Sequence, residues 1–315
     1  RRMIEVHNLS KHYGERVAVD DLSFVVKPGV VTGFLGPNGS GKSTTMRLIL
    51  GLDAPSTGTA LVGGRAYRDI PDPLHEIGAM LEARAIHSGR SARNHLRAMA
   101  ATHGIPDSRV EELIELVGLG QVARKRVGTF SLGMGQRLGI ASSLLGDPNV
   151  VVLDEPVNGL DPEGIRWVRE LLRRLADEGK TVFLSSHMMS EMALIAEQLV
   201  VIGKGRLIAD TSVDEFVEQA SAGAPVKVRS PRIGELRGAL DRAGFQAEES
   251  TQDELIVSGA TAAQIGDLAA QLGVPLHALT PQQISLEDAF MQITRSSVEF
   301  HTGLAEPEPE LTEAA

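Results

Sequence analysis

Cysteine is absent from the 315-residue chain, which excludes disulfides, thiolate zinc sites and cysteine nucleophiles together. Aromatic residues are scarce, with eight Phe, two Tyr and one Trp, so no platform of rings for stacking bases is expected. Basic residues are outnumbered, 31 Lys and Arg against 41 Asp and Glu, for a net charge of −10. Five of the acids fall in the last twenty residues, which hold no Lys or Arg, leaving −5 for residues 1–295. A clustered basic surface does not follow from those totals, and nucleic acid is not an expected partner. No run of 18 or more apolar residues occurs, nor an apolar signal segment near the start, so a soluble, cytosolic chain is expected. What is present is ordinary: 42% hydrophobic and 23% charged residues describe a packed chain, and its length suits two domains at about 150 residues each.

From Met3 to about Asp210 short apolar runs alternate with helical patterns, which predicts an α/β unit. Val30–Leu35, Val150–Leu153 and Thr181–Leu184 read as buried strands. Between about 85 and 135 the apolar residues Leu96, Met99 and Ala100, with His103, and then Val110, Leu113, Ile114 and Val117, recur at helical spacing. Pro106-Asp107-Ser108 starts the second of these helices and Gly118 stops it, so a mostly helical insert is predicted. A break at Ser221–Pro225 precedes a second unit over 222–295. Its strand (Val226–Val228), helix (Ile233–Ala243), hairpin-like pair (Phe245–Ala247, Glu254–Val257), helix (Thr261–Leu272), strand (Leu276–Leu279) and closing helix (Ser285–Thr294) predict a small α+β sandwich of βαββαβ-like order. The tail, 296–315, contains Glu-Pro-Glu-Pro-Glu and reads as a disordered acidic tether.

Gly36-Pro37-Asn38-Gly39-Ser40-Gly41-Lys42-Ser43, followed by Thr44, fits G-x-x-x-x-G-K-[ST] where a strand gives way to a helix. Its glycines let backbone N–H groups converge on one concavity, and the helix adds its positive end, so the loop suits a polyphosphate. Lys42 can reach the β- and γ-phosphates, and the Ser43 hydroxyl can ligate Mg²⁺. Asp154 and Glu155 follow the buried run Val150–Leu153, at a strand end where open sheets hold ligands. Asp154 would hold Mg²⁺, and Glu155 would polarise an attacking water as general base. Between these sites, Phe130-Ser131-Leu132-Gly133-Met134-Gly135-Gln136-Arg137 opens an apolar helix, another anion-binding start or else a capped helix of the core. One ATP needs only one such cradle, so the second invites the reading that it serves an ATP held by another copy.

In these motifs and their order, residues 3–215 resemble the cassette of an ATP-binding-cassette (ABC) ATPase subunit. The resemblance implies a P-loop NTPase cassette with a helical subdomain at about 85–135, followed by the small C-terminal domain and the tail. Phe130–Arg137 then resembles the LSGGQ signature, with Leu132 replacing its first glycine and Met134 its glutamine, and Ser131 and Gly133 would contact the γ-phosphate across a head-to-tail dimer. Tyr13 resembles the aromatic that stacks on adenine. His187 resembles the switch histidine that steadies Glu155, and Asp161 belongs to a D-loop linking the two ATP sites. Glu82 stands where the family commonly has glutamine and keeps an oxygen for Mg²⁺ or water.

The resemblance further implies a homodimer or a pairing with a related ATPase, and a separate integral-membrane permease that holds the chain on the cytoplasmic face of the membrane. Ala85-Ile86-His87 and the Leu96/Met99 stripe are either apolar contacts for that partner or internal packing. Ser285–Phe290 resembles the closing helix of ATPases that power drug and antibiotic exporters, such as those for daunorubicin and bacitracin. The competing class is a non-transport cassette acting on ribosomes or DNA. Such chains commonly carry two cassettes or long coiled-coil arms, whereas here one phosphate loop is present and 112 positions separate Lys42 from Asp154.

Overall fold

The computed structural model describes residues 3–294 apart from 83–85, 188, 222–223 and 283–284. Ala85, part of the expected 221–225 break and the 296–315 tail therefore lie outside the described residues. Strands β1 (Ile4–Tyr13) and β2 (Arg16–Val26) form an antiparallel pair, β3 (Val31–Leu35) runs into helix α1 (Lys42–Ile49), and β4 (Thr57–Val62) pairs with the other edge of β1. The short α2 (Pro73–Glu76) and β5 (Ile77–Met80) lead to three helices, α3 (Ala92–Thr102), α4 (Asp107–Leu116) and α5 (Leu132–Ser143). The chain continues through β6 (Val150–Leu153), α6 (Pro162–Asp177), β7 (Thr181–Ser186), α7 (Met189–Ile195), β8 (Gln198–Gly203), β9 (Arg206–Ser212) and α8 (Val213–Ser221).

A six-stranded sheet of order β5-β6-β7-β3-β8-β9, parallel except for β9, is the frame. Its central strands are buried on both faces, which is why they read as unbroken apolar runs. Val151, Leu153, Val182 and Leu184 pack under the helices, while Val150, Val152, Phe34 and Phe183 meet the antiparallel sheet. Phe24 of that sheet lies 5.7 Å from the rings of both Phe34 and Phe183, closing the second layer. On β3, a Cβ at Gly33 would stand 2.3 Å from the Met192 sulfur, so glycine lets α7 lie close against the strand beside the phosphate-type loop.

The helical insert forms as its periodicity predicts. Ser91 caps α3 by accepting the Asn94 N–H at 3.2 Å, and Gly118, at φ 69°, ends the α4 segment. Leu96, Ala100, Val110, Leu113, Ile114 and Val117 are buried, and Met99 packs against the same core. The Leu96/Met99 stripe is thus internal packing.

Beyond the break, β10 (Val226–Arg229), α9 (Ile233–Arg242), β11 (Gln246–Thr251), β12 (Glu254–Ser258), α10 (Ala262–Leu272) and β13 (Ala278–Pro281) form an antiparallel sheet of order β11-β12-β10-β13 with its own core. The closing helix α11 (Leu286–Thr294) differs from its sequence grouping. Its buried Leu286, Ala289 and Phe290 join the core that contains Phe216 of α8 and Met189, Met192 and Ile195 of α7, so it packs on the larger unit. Apolar matching across space, which a local pattern does not carry, decides that placement. Phe290→Ala is expected to cost about 3–5 kcal/mol, read as a lower midpoint in urea unfolding. An unchanged midpoint would contradict this docking.

Candidate active site

Strands β6, β7 and β3 are neighbours and end on one edge of the sheet, the edge where open α/β sheets leave a ligand crevice. Beyond β3 the chain turns through Gly36–Gly41 into α1. Gly41 has φ 105°, and a Cβ there would lie 2.4 Å from the Ala18 carbonyl oxygen of β2. Backbone hand and close approach both require glycine. Gly41 caps α1 without a side chain, and the first-turn N–H groups of Lys42, Ser43 and Thr44 lack intrahelical acceptors by helix geometry. These amides and the helix dipole present positive charge to the crevice.

Lys42 is 7% exposed, and its ammonium donates to the carbonyls of Gly36 at 2.6 Å and Pro37 at 3.3 Å. Burial pushes the ammonium below the usual lysine range, while the Glu155 and Asp154 carboxylates work the other way. Ser40 is buried in the turn, and its hydroxyl has no hydrogen-bond partner among the described residues.

The carboxylates meet the loop from β6. The Ser43 hydroxyl donates to Asp154 Oδ2 at 2.9 Å, and the Ser185 hydroxyl donates to Asp154 Oδ1. Ser185 Oγ also accepts the Glu155 N–H at 3.1 Å. Glu155 holds a left-handed φ of 51°, an uncommon conformation for a side chain of this kind. Its Oε2 lies 2.8 Å from His187 Nδ1, just past the end of β7. A cleft of about 350 Å³ opens among Asn38, Gly39, Lys42–Thr44, Asp154, Glu155, His187 and the β2 residues Arg16 and Ala18.

The remaining sequence-selected residues are spread wider. Ser131 caps α5 by accepting the Met134 N–H at 3.2 Å, and it lines a separate depression with Ile86, Ser88 and Phe130. Asp161 caps α6 through Gly164 N–H at 2.9 Å, and Gly133 lies against Leu160 and Gly159, next to it in the chain. Tyr13, 48% exposed, stands outside the cleft lining: its hydroxyl donates to Asp53 at 3.1 Å and Lys11 sits 4.8 Å from its ring centroid. Glu82 is exposed just beyond β5, also outside that lining.

The chain is similar to known proteins in sequence and in fold. A family model described as ABC transporter matches residues 19–158, and a second, a domain of unknown function, matches 224–287. The uncharacterized ABC transporter ATP-binding protein YhcH of Bacillus subtilis is 40% identical over 72% of this chain and 79% of that protein. The bacitracin transport ATP-binding protein BcrA of Enterococcus faecalis is 32% identical over 92% of this chain and 96% of that protein. This chain belongs to the ABC transporter ATP-binding proteins. It is an ATPase with the ABC cassette fold. Among solved structures, an ATP-binding subunit of an ABC transporter superposes with a TM-score of 0.63 at 28% identity, over 69% of this chain and 92% of that one. The dimeric cassette MJ0796, in a post-hydrolysis state with ADP and Pi, shares the fold at a TM-score of 0.61 and 21% identity, over 66% of this chain and 98% of that one.

Three residues of this cassette were given no role by the sequence, although Gln136 falls within the Phe130–Arg137 stretch. Arg16 lines the cleft, Ser185 joins Asp154 to Glu155, and the buried Gln136 donates to the carbonyls of Glu155 and Asn158. One of them carried a legible signal: Ser185 is a polar residue within a buried strand, whereas Gln136 lies beside Arg137 in a helix that also carries Ser142 and Ser143, and only its burial marks it.

Proposed function

We propose that this chain binds ATP in the cleft between Gly36–Thr44 and Asp154–Glu155, pairs head-to-tail with a second copy or a related ATPase, and powers export of a drug, antibiotic or lipid-like compound through a separate membrane permease. The observation that carries the reading is the presence of two anion-suited helix starts in separate depressions, Gly41 of α1 and Ser131 of α5. The first start suffices for one triphosphate, so the second would serve a neighbouring subunit's ATP. Tyr13 would offer its ring to the adenine, and Ser131, Gly133 and the D-loop Asp161 would complete the partner's site.

The oxygen donors Ser43 and Asp154, already hydrogen-bonded to each other, suit Mg²⁺, and Glu82, outside the cleft lining, would have to approach to add a further oxygen. When bound, that ion neutralises charge on the phosphates of the transferring group. Lys42 holds the phosphates by charge and hydrogen bonding. Glu155 takes a proton from the attacking water, and His187 fixes the direction of its carboxylate. Closing two subunits on two ATP molecules and releasing them after hydrolysis gives a clamp that does work on a partner.

Among the described residues no helix is long and apolar enough to cross a membrane; the relatives named as transporter ATP-binding proteins support a peripheral subunit beside a permease on the cytoplasmic face. The relative named for bacitracin transport supports export of an antibiotic-like compound. Affinity capture of the tagged chain from detergent-solubilised membranes is expected to recover a multi-span protein encoded beside it. Recovery of ribosomal or DNA-bound assemblies in its place would favour the non-transport reading.

A further inference from the structure

The helix that opens with Ser131 does a second thing: it reaches into the chain's own hydrolytic site. Gln136, the fifth residue of α5, is 5% exposed, and its Nε2 donates at 3.2 Å to the Glu155 carbonyl and at 3.2 Å to the Asn158 carbonyl. The turn it grips has a single backbone bond across it, Asn158 N–H to Glu155 carbonyl at 3.2 Å. Glu155 sits there with a left-handed φ of 51°, its N–H held by Ser185 and its carbonyl by Gln136. The peptide that presents this carboxylate is therefore fixed on both sides by side chains. Gln136 Oε1 is buried without a hydrogen-bond partner among the described residues, so the position bears an unpaired acceptor that an apolar residue of similar shape would avoid.

We propose that Gln136 is a positioning residue for hydrolysis: it holds the 155–158 turn so that the Glu155 carboxylate meets His187 and faces the cleft. The inference rests on Glu155 being the base. It has a consequence for paired subunits. The same α5 offers its N-terminus to the neighbour's nucleotide and, one turn on, sets the base of its own site, so a shift of that helix on closure reaches both. A helix that both sites contact is a physical route for such linkage, and α5 would be that helix.

The test uses the full chain with Gln136→Met, which keeps the length and apolar bulk of the side chain and removes its donors, and Gln136→Leu as a second variant should the first not fold. Three quantities are read: ATP affinity by fluorescent-nucleotide titration, single-turnover hydrolysis, and the ring signals of His187 by histidine-labelled NMR. The expected result is ATP affinity within about twofold of the unmodified chain and hydrolysis lowered by roughly 10- to 100-fold, the scale of a displaced reacting group. The His187 signals should move as its Glu155 contact loosens. In a Glu155→Gln background the same substitution should cost nothing further, because it acts through that carboxylate.

Hydrolysis within about twofold of the unmodified chain would overturn the proposal, as would an equal loss in the Glu155→Gln background. Should Glu155→Gln alone turn over normally, the base assignment falls. Gln136 is then judged on His187 alone: moved signals uphold its hold on the 155–158 turn, and unmoved signals end it.

Discussion

Glu155→Gln is expected to lower ATP turnover by about 10²- to 10⁴-fold while leaving ATP affinity within about twofold. The amide has the shape of the carboxylate it replaces and keeps an oxygen for the His187 contact, now 2.8 Å in length. It has no basic oxygen to take the proton of a water. Lys42, the first-turn amides of α1, and the Ser43–Asp154 pair are untouched, so the nucleotide still binds. With hydrolysis stalled, the ATP-closed pair should accumulate and be visible as a dimer by light scattering in the presence of ATP. Turnover near that of the unmodified chain would contradict the role of Glu155.

Ser131→Arg removes the hydroxyl that caps α5 and puts a long side chain into the depression shared with Ser88 and Phe130. Losing a cap costs about 1 kcal/mol of helix stability, which the buried apolar face of α5 outweighs. Losing a preorganised donor to a phosphate is worth about 10²- to 10³-fold in rate. The expected outcome is a folded monomer with normal ATP affinity, no dimer even when combined with Glu155→Gln, and turnover lower by that factor. Mixing it with unmodified chain separates the two roles: if each site draws Ser131 from the other subunit, half of the sites in a mixed pair are lost. A mixed pair with full activity would count against the shared-site reading, and a dimer formed by the double variant would do so as well.

Much of this site was legible in one dimension because its chemistry uses contiguous residues. Gly36–Ser43 must be glycine-rich to make its turn, and Asp154 and Glu155 stand at the end of a short β-branched run, Val150–Leu153, that suits a doubly buried strand. The βαββαβ order of the C-terminal unit was also readable, since each element declares its own period and its own turn. Other features depend on partners far apart in the chain. Tyr13 matches a motif, yet its hydroxyl goes to Asp53 and the cleft is lined by Arg16 in its vicinity. The Leu96/Met99 stripe has the same pattern whether it docks a partner or packs inward, and burial decided for packing.

A strand–glycine turn–helix suited to phosphate and two acids after a buried strand could be read from neighbouring residues, because local backbone geometry and periodicity are written into them. The folded chain alone reveals that α11 returns to pack on α7 and α8, that Ser185 clasps Asp154 and the Glu155 peptide, and that Gln136 reaches the same turn from α5. Those contacts join residues 19 to 31 positions apart, or whole units. They depend on which surfaces meet once the sheet has formed, a quantity set by packing across the whole chain.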